Sequence, residues 1–173
     1  ISRVVVHKCD GGGVFLGLRS AGDVAAAVLA LDERMRDAGV RLDGILLQRE
    51  VAGGLEALVG VTHDPTFGPL VVAGLGGTLV EVFRDVSFRL PPVTDLDAEE
   101  MLDGLKAKKL LDGFRGAPAA DRAALAQVIR KVSALVEAMP ELVELDLNPV
   151  KVLRPGQGAV VVDGRMRVAR AGG

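Results

Sequence analysis

The sequence predicts an α+β domain in which a mixed or largely antiparallel sheet carries helices on one side. Three observations lead to this prediction. Apolar segments of strand length alternate with glycine and proline turns, two stretches show helical periodicity, and the connections between successive strands are short enough for hairpins. With 173 residues and 49% hydrophobic residues, the chain can form one domain with a sizeable core.

The first part of the chain predicts strand, turn and helix. Runs of β-forming residues at 3–7 and 13–18 flank the glycine-rich stretch CDGGG. Ser20 and Asp23 form a capping-box pattern that begins a helix, and Gly39 offers its end. Four strand-like segments follow, punctuated by AGG, HDPTFGP and GLGG: residues 43–51, 55–63, 69–74 and 79–90.

The second part of the chain predicts two helices and a final group of strands. A helical stretch begins at Thr94 or Asp95 and continues to about Leu111, where GFRGAP interrupts it. The clearest helix begins at Asp121 and ends before Pro140. The strand segments ELVELDLNPV, KVL and GAVVVDGRM then follow, with RPGQG as a turn.

Composition excludes several classes of function. The net charge is −2, and Trp and Tyr are absent, so neither a basic surface nor an aromatic stacking platform for nucleic acid is visible. Cys9 is the only cysteine, which excludes an internal disulfide and favours a reducing, cytoplasmic setting. No apolar run approaches the roughly 20 residues of a membrane span, and the first residues lack a signal-peptide pattern. A start in a strand-like run without methionine suggests a piece of a longer protein.

The stretch ELDLNPV suggests a cation site. Glu144, Asp146 and Asn148 alternate with two leucines, so in a strand the oxygen-bearing side chains share one face. A strand pair that returns through GQG brings Asp163 beside them. Oxygen ligands of this kind suit Mg²⁺, which takes one or two groups from protein and completes its shell with phosphate and water. An ordinary edge strand with a solvated polar face explains the same alternation.

The stretch HKCDGGGV suggests a phosphate-binding loop. Gly11, Gly12 and Gly13 let backbone N–H groups approach phosphate oxygens, and Lys8 adds a positive charge. A glycine-rich hairpin turn is an equally simple interpretation, and His7 by itself is more typical of a surface histidine than of a nucleophile.

Two further segments carry candidate ligand contacts. In GLGGTLVEVFRDVSFRLPP, Arg89 is a candidate for phosphate contact, although a hairpin with surface charges explains the spacing as well. In ILLQREVAGGLEALVGV, a buried strand followed by a turn is the simpler interpretation. Its functional interpretation offers the strand end to a base and the next strand to a ribose or metal: Gln48, Glu50, Val51 and Glu56.

Taken in order, four motifs resemble the ATP-grasp domain of the NDP-forming acyl-CoA synthetases. The motifs are HKCDGGGV, LLQREVAGGLEALVGVTHDPTFGPLV, GLGGTLVEVFRDVSFRLPP and ELDLNPVKV…VVVDGRM. The resemblance is to the β-subunit type of ADP-forming acetate–CoA ligase, with the succinyl-CoA synthetase β subunit more distant. It implies an ATP-grasp fold over residues 1–173. The N-terminal portion of the nucleotide-binding subdomain and the CoA-binding and ligase domains are then expected outside this chain.

The resemblance also implies an activity. Enzymes of this family transfer phosphate between ATP or ADP and a phosphohistidine while they interconvert acyl-CoA and acyl phosphate. By this resemblance Asn148 and Asp163 hold Mg²⁺ with Asp146 beside them, the glycine loop binds phosphate, and the end of the LLQREV strand faces adenine. His7 matches a histidine that carries phosphate near the nucleotide in some members. The chain is then one domain of an acid–thiol ligase and inactive by itself.

Departures from the family pattern leave other functions open. The loop has Cys9 where the family usually has Ser or Thr, and it has a third glycine. One alternative is therefore a regulatory, non-catalytic synthetase-like domain fused to a protein lysine acetyltransferase. Another is an ATP-grasp ligase that joins a carboxylate to an amine.

Overall fold

The computed structural model describes residues 13–76 and 85–169. The chain divides into two compact units, with the boundary between Glu50 and Val51. The described part of the first unit contains one helix. The described part of the second unit contains six strands, two helices and a short 3₁₀ turn at Lys108–Leu110.

The first unit is built around helix α1, Ala21–Asp37. Ser20 caps it, because the Ser20 hydroxyl accepts the N–H of Asp23 and the Asp23 carboxylate accepts the N–H of Ser20. The predicted helix is therefore confirmed. The strands predicted at 13–18 and 43–51 are wrong, since no strand is formed among the described residues of this unit. Apolar β-forming residues make a strand only when a neighbouring strand supplies hydrogen bonds.

The second unit is a sheet in which every pair of described strands is antiparallel, as predicted. The order across the sheet is β3-β2-β1-β4-β5, and β6 pairs with β4. Its strands are β1 Leu55–Asp64, β2 Gly68–Leu75, β3 Val86–Arg89, β4 Leu142–Val152, β5 Ala159–Val161 and β6 Gly164–Val168. The predicted segment at 79–90 is confirmed at β3, while its residues 79–84 lie outside the described residues.

Two helices cover one face of this sheet, here called the inner face. They are α2, Asp95–Asp103, and α3, Arg122–Ala138. Thr94 and Asp121 cap them, in agreement with the sequence prediction, although α2 ends at Asp103 rather than at Leu111. The core lies between helices and sheet, and its residues include Val59, Val71, Leu75, Met101, Leu102, Leu125, Ile129, Leu142 and Val150. Among the described residues no helix is long and apolar enough to cross a membrane.

Candidate functional site

The face of the sheet turned away from α2 and α3, here called the outer face, carries the candidate cation ligands. On β4, Leu145 is buried in the core and Leu147 packs against it, whereas Asp146 and Asn148 are exposed. Successive side chains of a strand point to opposite faces, so the two polar residues share the outer face. The alternation predicted from the sequence therefore exists in the structure.

The structure brings Asn148 and Asp163 together. Strands β5 and β6 follow one another along the same edge of β4, and the break between them lies opposite Asn148. The Asn148 N–H donates to the Asp163 carbonyl at 3.2 Å, and the Val162 N–H donates to the Pro149 carbonyl at 3.0 Å. Residues directly opposite each other in an antiparallel pair have Cβ atoms only about 5 Å apart. The backbones of Asn148 and Asp163 are thus neighbours, although the residues are far apart in sequence.

A bulge after Asn148 changes which side chains reach the outer face. Val59 pairs with Leu147, but Ala57 pairs with Val150, so β4 has one residue more than β1 in this interval. An extra residue on one strand reverses the alternation beyond it. Val150 is therefore fully buried in the core, and Lys151 joins the outer face.

Lys151 forms an ion pair with Glu56, one of the predicted site residues. The two residues are register partners on β4 and β1, and the Lys151 Nζ lies 2.7 Å from the Glu56 Oε1. Sequence reasoning missed Lys151, because strict alternation from Asn148 would put it among the core residues. The proline after Asn148 was the available signal for a bulge, since proline within a sheet is found at edges and bulges.

Glycines leave bare backbone next to these charged groups. Gly60 pairs with Asp146, and a Cβ placed on Gly60 would lie 2.3 Å from the Leu145 carbonyl oxygen. At the end of β2, the Gly76 N–H donates to the Glu56 carbonyl, and a Cβ on Gly76 would lie 3.0 Å from the Glu56 backbone. Both glycines are required for close approach of the strands, and both keep the outer face free of side chains at these points.

The donor atoms at Asn148 and Asp163 fit a hard divalent cation. An amide oxygen and a carboxylate are oxygen ligands of the type that Mg²⁺ prefers, and the Asp163 Oδ1 accepts the Gly164 N–H at 3.1 Å. No group of three or more His, Cys, Asp or Glu that could hold a metal is found in the part of the chain that the structure describes.

Arg89 lies on the other face of the sheet. Its guanidinium Nη2 donates to Glu100 of α2 at 2.9 Å, and its Nε lies 3.7 Å from Asp97. The structure does not bring Arg89 together with Asn148 and Asp163. A phosphate contact for Arg89 stays a prediction, and the structure gives this residue a clear role in holding α2 to β3.

The remaining predicted residues lie mainly in the first unit. Glu50 accepts the Gly17 N–H at 2.7 Å, and both Glu50 and Gln48 are exposed. Gly13 and Val51 are half-buried. Four predicted residues of the glycine loop lie outside the described residues: His7, Lys8, Gly11 and Gly12.

The sequence was compared with known protein families and with characterised proteins. Residues 1–168 match the profile of the ATP-grasp domain. The chain is 44% identical to ADP-forming acetate–CoA ligase I of Archaeoglobus fulgidus over 96% of its own length and 24% of that protein. It is 38% identical to the β subunit of ADP-forming acetate–CoA ligase II of Pyrococcus furiosus, covering 96% of this chain and 72% of the subunit.

Solved structures of similar sequence share the fold. The dinucleotide-forming acetyl-coenzyme A synthetase 1 of Ca. Korarchaeum cryptofilum, in complex with coenzyme A and Mg-AMPPCP, superimposes with a TM-score of 0.86 at 40% identity. That match covers 98% of this chain and 74% of the other. The same enzyme in complex with coenzyme A, Ca-AMPCP and HgCl⁺ gives a TM-score of 0.92, covering 97% and 73% of the two chains.

Proposed function

This chain belongs to the ATP-grasp family, and from that premise we propose that it is the nucleotide-binding domain of an NDP-forming acyl-CoA synthetase. It transfers phosphate between ATP or ADP and a phosphohistidine during interconversion of acyl-CoA and acyl phosphate. The chain spans about a quarter of the length of the A. fulgidus ligase. CoA-binding and ligase domains, in the same polypeptide or a partner subunit, complete the proposed enzyme, which we place in the cytoplasm.

The observation that carries this proposal is the position of Asn148 opposite Asp163 on the outer face. The hydrogen bond from the Asn148 N–H to the Asp163 carbonyl holds the backbone between β5 and β6 against β4 at this point. An amide oxygen and a carboxylate are suitable ligands for Mg²⁺, which takes one or two groups from protein and completes its shell with phosphates and water. The similarity to synthetases solved with Mg-AMPPCP and Ca-AMPCP supports the choice of ligand.

In this proposal, residues of the second unit bind the metal and the ribose. Asn148 and Asp163 hold Mg²⁺ through their side-chain oxygens, with Asp146 beside them, and Glu56 faces the ribose or the metal. When bound, Mg²⁺ neutralises charge on the phosphate oxygens during phosphoryl transfer. Asn148 lies on β4 and Asp163 lies between β5 and β6, so the backbone holds the two residues next to each other before the nucleotide arrives.

Residues between 7 and 51 supply the remaining proposed contacts. Lys8 and the glycines at 11–13 bind phosphate through a positive charge and backbone N–H groups. Gln48, Glu50 and Val51 offer polar and backbone groups to the adenine. His7 accepts and returns a phosphoryl group, because a neutral imidazole nitrogen is a competent nucleophile near neutral pH.

Label transfer from ATP tests the proposal. The full-length protein is incubated with γ-³²P-ATP and Mg²⁺, and the expected product is an acid-labile, base-stable phosphohistidine that is lost on addition of ADP. Replacement of Mg²⁺ by EDTA should abolish labelling. A protein that binds Mg²⁺–ATP yet forms no phosphohistidine, with or without acyl-CoA, contradicts the phosphotransfer function.

The regulatory alternative gains no support from the relatives described above, since these are named as ligases or synthetases. The same experiment separates it from the proposal. A regulatory domain binds its ligand without becoming labelled, whereas the synthetase domain passes phosphate to a histidine.

A further inference from the structure

Lys151 is a basic residue on the outer face that the proposed function does not use. Its Nζ contacts the Glu56 Oε1, and the side chains are only 20% and 40% exposed, respectively. Both residues are partly enclosed by the sheet, so their mutual orientation is more restricted than that of a surface ion pair. The pair joins β1 to β4 across 95 residues of sequence.

Glu56 is held from two sides. Lys151 fixes its carboxylate, while Gly76 at the end of β2 donates its N–H to the Glu56 carbonyl. The two backbones lie close together at this point, since a Cβ placed on Gly76 would be only 3.0 Å from Glu56. A carboxylate fixed in this way is oriented before a ligand arrives.

Lys151 also lies near the proposed metal ligands. It follows Asn148 by three residues on β4, and three residues of strand span about 10 Å. The outer face near this point carries the carboxylates of Glu56, Asp146 and Asp163, and Arg165 faces Asp146 across the β4–β6 pair. Arg165 thus places a positive charge beside Asp146, and Lys151 places one beside Glu56.

We propose that Lys151 is a positioning residue for nucleotide binding, which acts by holding the Glu56 carboxylate in place and offsetting its charge against the phosphates. This inference rests on the proposed function and assigns a role that the sequence alternation would have excluded. Because Lys151 acts through Glu56, removing either residue removes the same contribution to binding. The two substitutions should therefore be strongly non-additive.

The test measures Mg²⁺–ADP binding to the full-length protein by titration calorimetry. Lys151→Met should weaken binding about tenfold, the expected size for loss of a charge-assisted hydrogen bond at a site. Glu56→Gln should weaken binding similarly. The affinity of the double variant should be at most about twofold lower than that of either single variant. Lys151→Arg, which keeps the ion pair, should bind within about threefold of the wild type.

Two controls keep the result interpretable. Lys131→Met removes an exposed lysine from α3, on the other side of the sheet, and should leave the affinity unchanged. Lys151→Gln retains a polar group without the charge. If Lys151→Met and Lys151→Gln weaken binding equally, the effect comes from the lost charge and not from a methionine that packs poorly at this position.

The outcomes separate the inference from the proposed function. Wild-type affinity in both Lys151→Met and Lys151→Gln, or losses that multiply in the double variant, overturn the role of Lys151 while nucleotide binding stands. Failure of the wild type to bind Mg²⁺–ADP overturns the proposed function, and the role of Lys151 with it.

Discussion

The inner and outer faces of the second unit use the same strands for different purposes. On the inner face, apolar side chains are fully buried under α2 and α3, and Arg122 of α3 holds α2 through Glu99 at 2.7 Å and Asp103 at 3.1 Å. On the outer face, the alternate positions include charged residues and a glycine, among them Glu56 and Gly60 of β1 and Asp146 of β4. A period of two along each strand thus separates the core residues from the residues of the proposed ligand site. Substitutions on one face should change one property and leave the other.

The largest expected effect is on the inner face. Ile129 of α3 is fully buried, and Ile129→Ala should lower the free energy of unfolding by about 2–5 kcal/mol, because it removes methylenes and leaves a cavity. Denaturant titration measures this change. The matched control is Leu96→Ala on α2, where the side chain is 69% exposed and the cost should stay within about 0.5 kcal/mol. Equal costs at the two positions would mean that the helices do not form the core described here.

The second effect concerns the outer face. Asp163→Ala should weaken Mg²⁺–nucleotide binding by about 100-fold, an effect of the size seen when metal-site partners are removed. Since Asp163 is exposed, the melting temperature of the Asp163→Ala variant should stay close to that of the wild type. Asp112→Ala, which removes an exposed carboxylate from the loop after the 3₁₀ turn, is the control for net charge. A large fall in melting temperature with unchanged affinity would reverse the assignment of the two faces.

The smallest expected effect is a pH-dependent contribution of Asp121 to stability. The pKa of Asp121 lies below its ordinary value of 3.8, because the N–H groups of Gly158, Ala124 and Gly156 donate to its carboxylate. A lowered folded-state pKa gives stabilisation that is complete above the unfolded-state pKa and is lost as pH falls through the folded-state value.

Asp121→Asn should therefore melt a few degrees below the wild type at pH 7, and the difference should shrink as the pH is taken below 3.8. Asparagine can keep the oxygen that caps α3, but its amide nitrogen cannot accept the N–H groups of Gly156 and Gly158, so the variant removes the charge and these two hydrogen bonds together. Thermal melts at pH 7, 5 and 3 measure the difference. A gap that widens toward acid would contradict the role given to the carboxylate. Mg²⁺–nucleotide affinity at pH 7 should be the same in both proteins.

Much of the second unit could be predicted because its signals are local. The helix starts at Thr94 and Asp121 depend on hydrogen bonds within three residues, and the turn between β1 and β2 depends on Asp64, which accepts the N–H groups of Thr66 and Phe67. The strands predicted at 13–18 and 43–51 were wrong for the complementary reason. An apolar run reports a preference for extended chain, while a strand also requires a partner that composition does not reveal.

The sequence by itself determined the capped helices, the hairpin turns and the alternation that sends Asp146 and Asn148 to one face, since each depends on neighbours a few residues away. Only the tertiary structure decided what happens beyond Pro149. There, pairing with β1 accommodates one extra residue, exchanges the faces of Val150 and Lys151, and brings Lys151 to Glu56. A bulge is a property of two strands together, because it is the count of residues on one strand against the other.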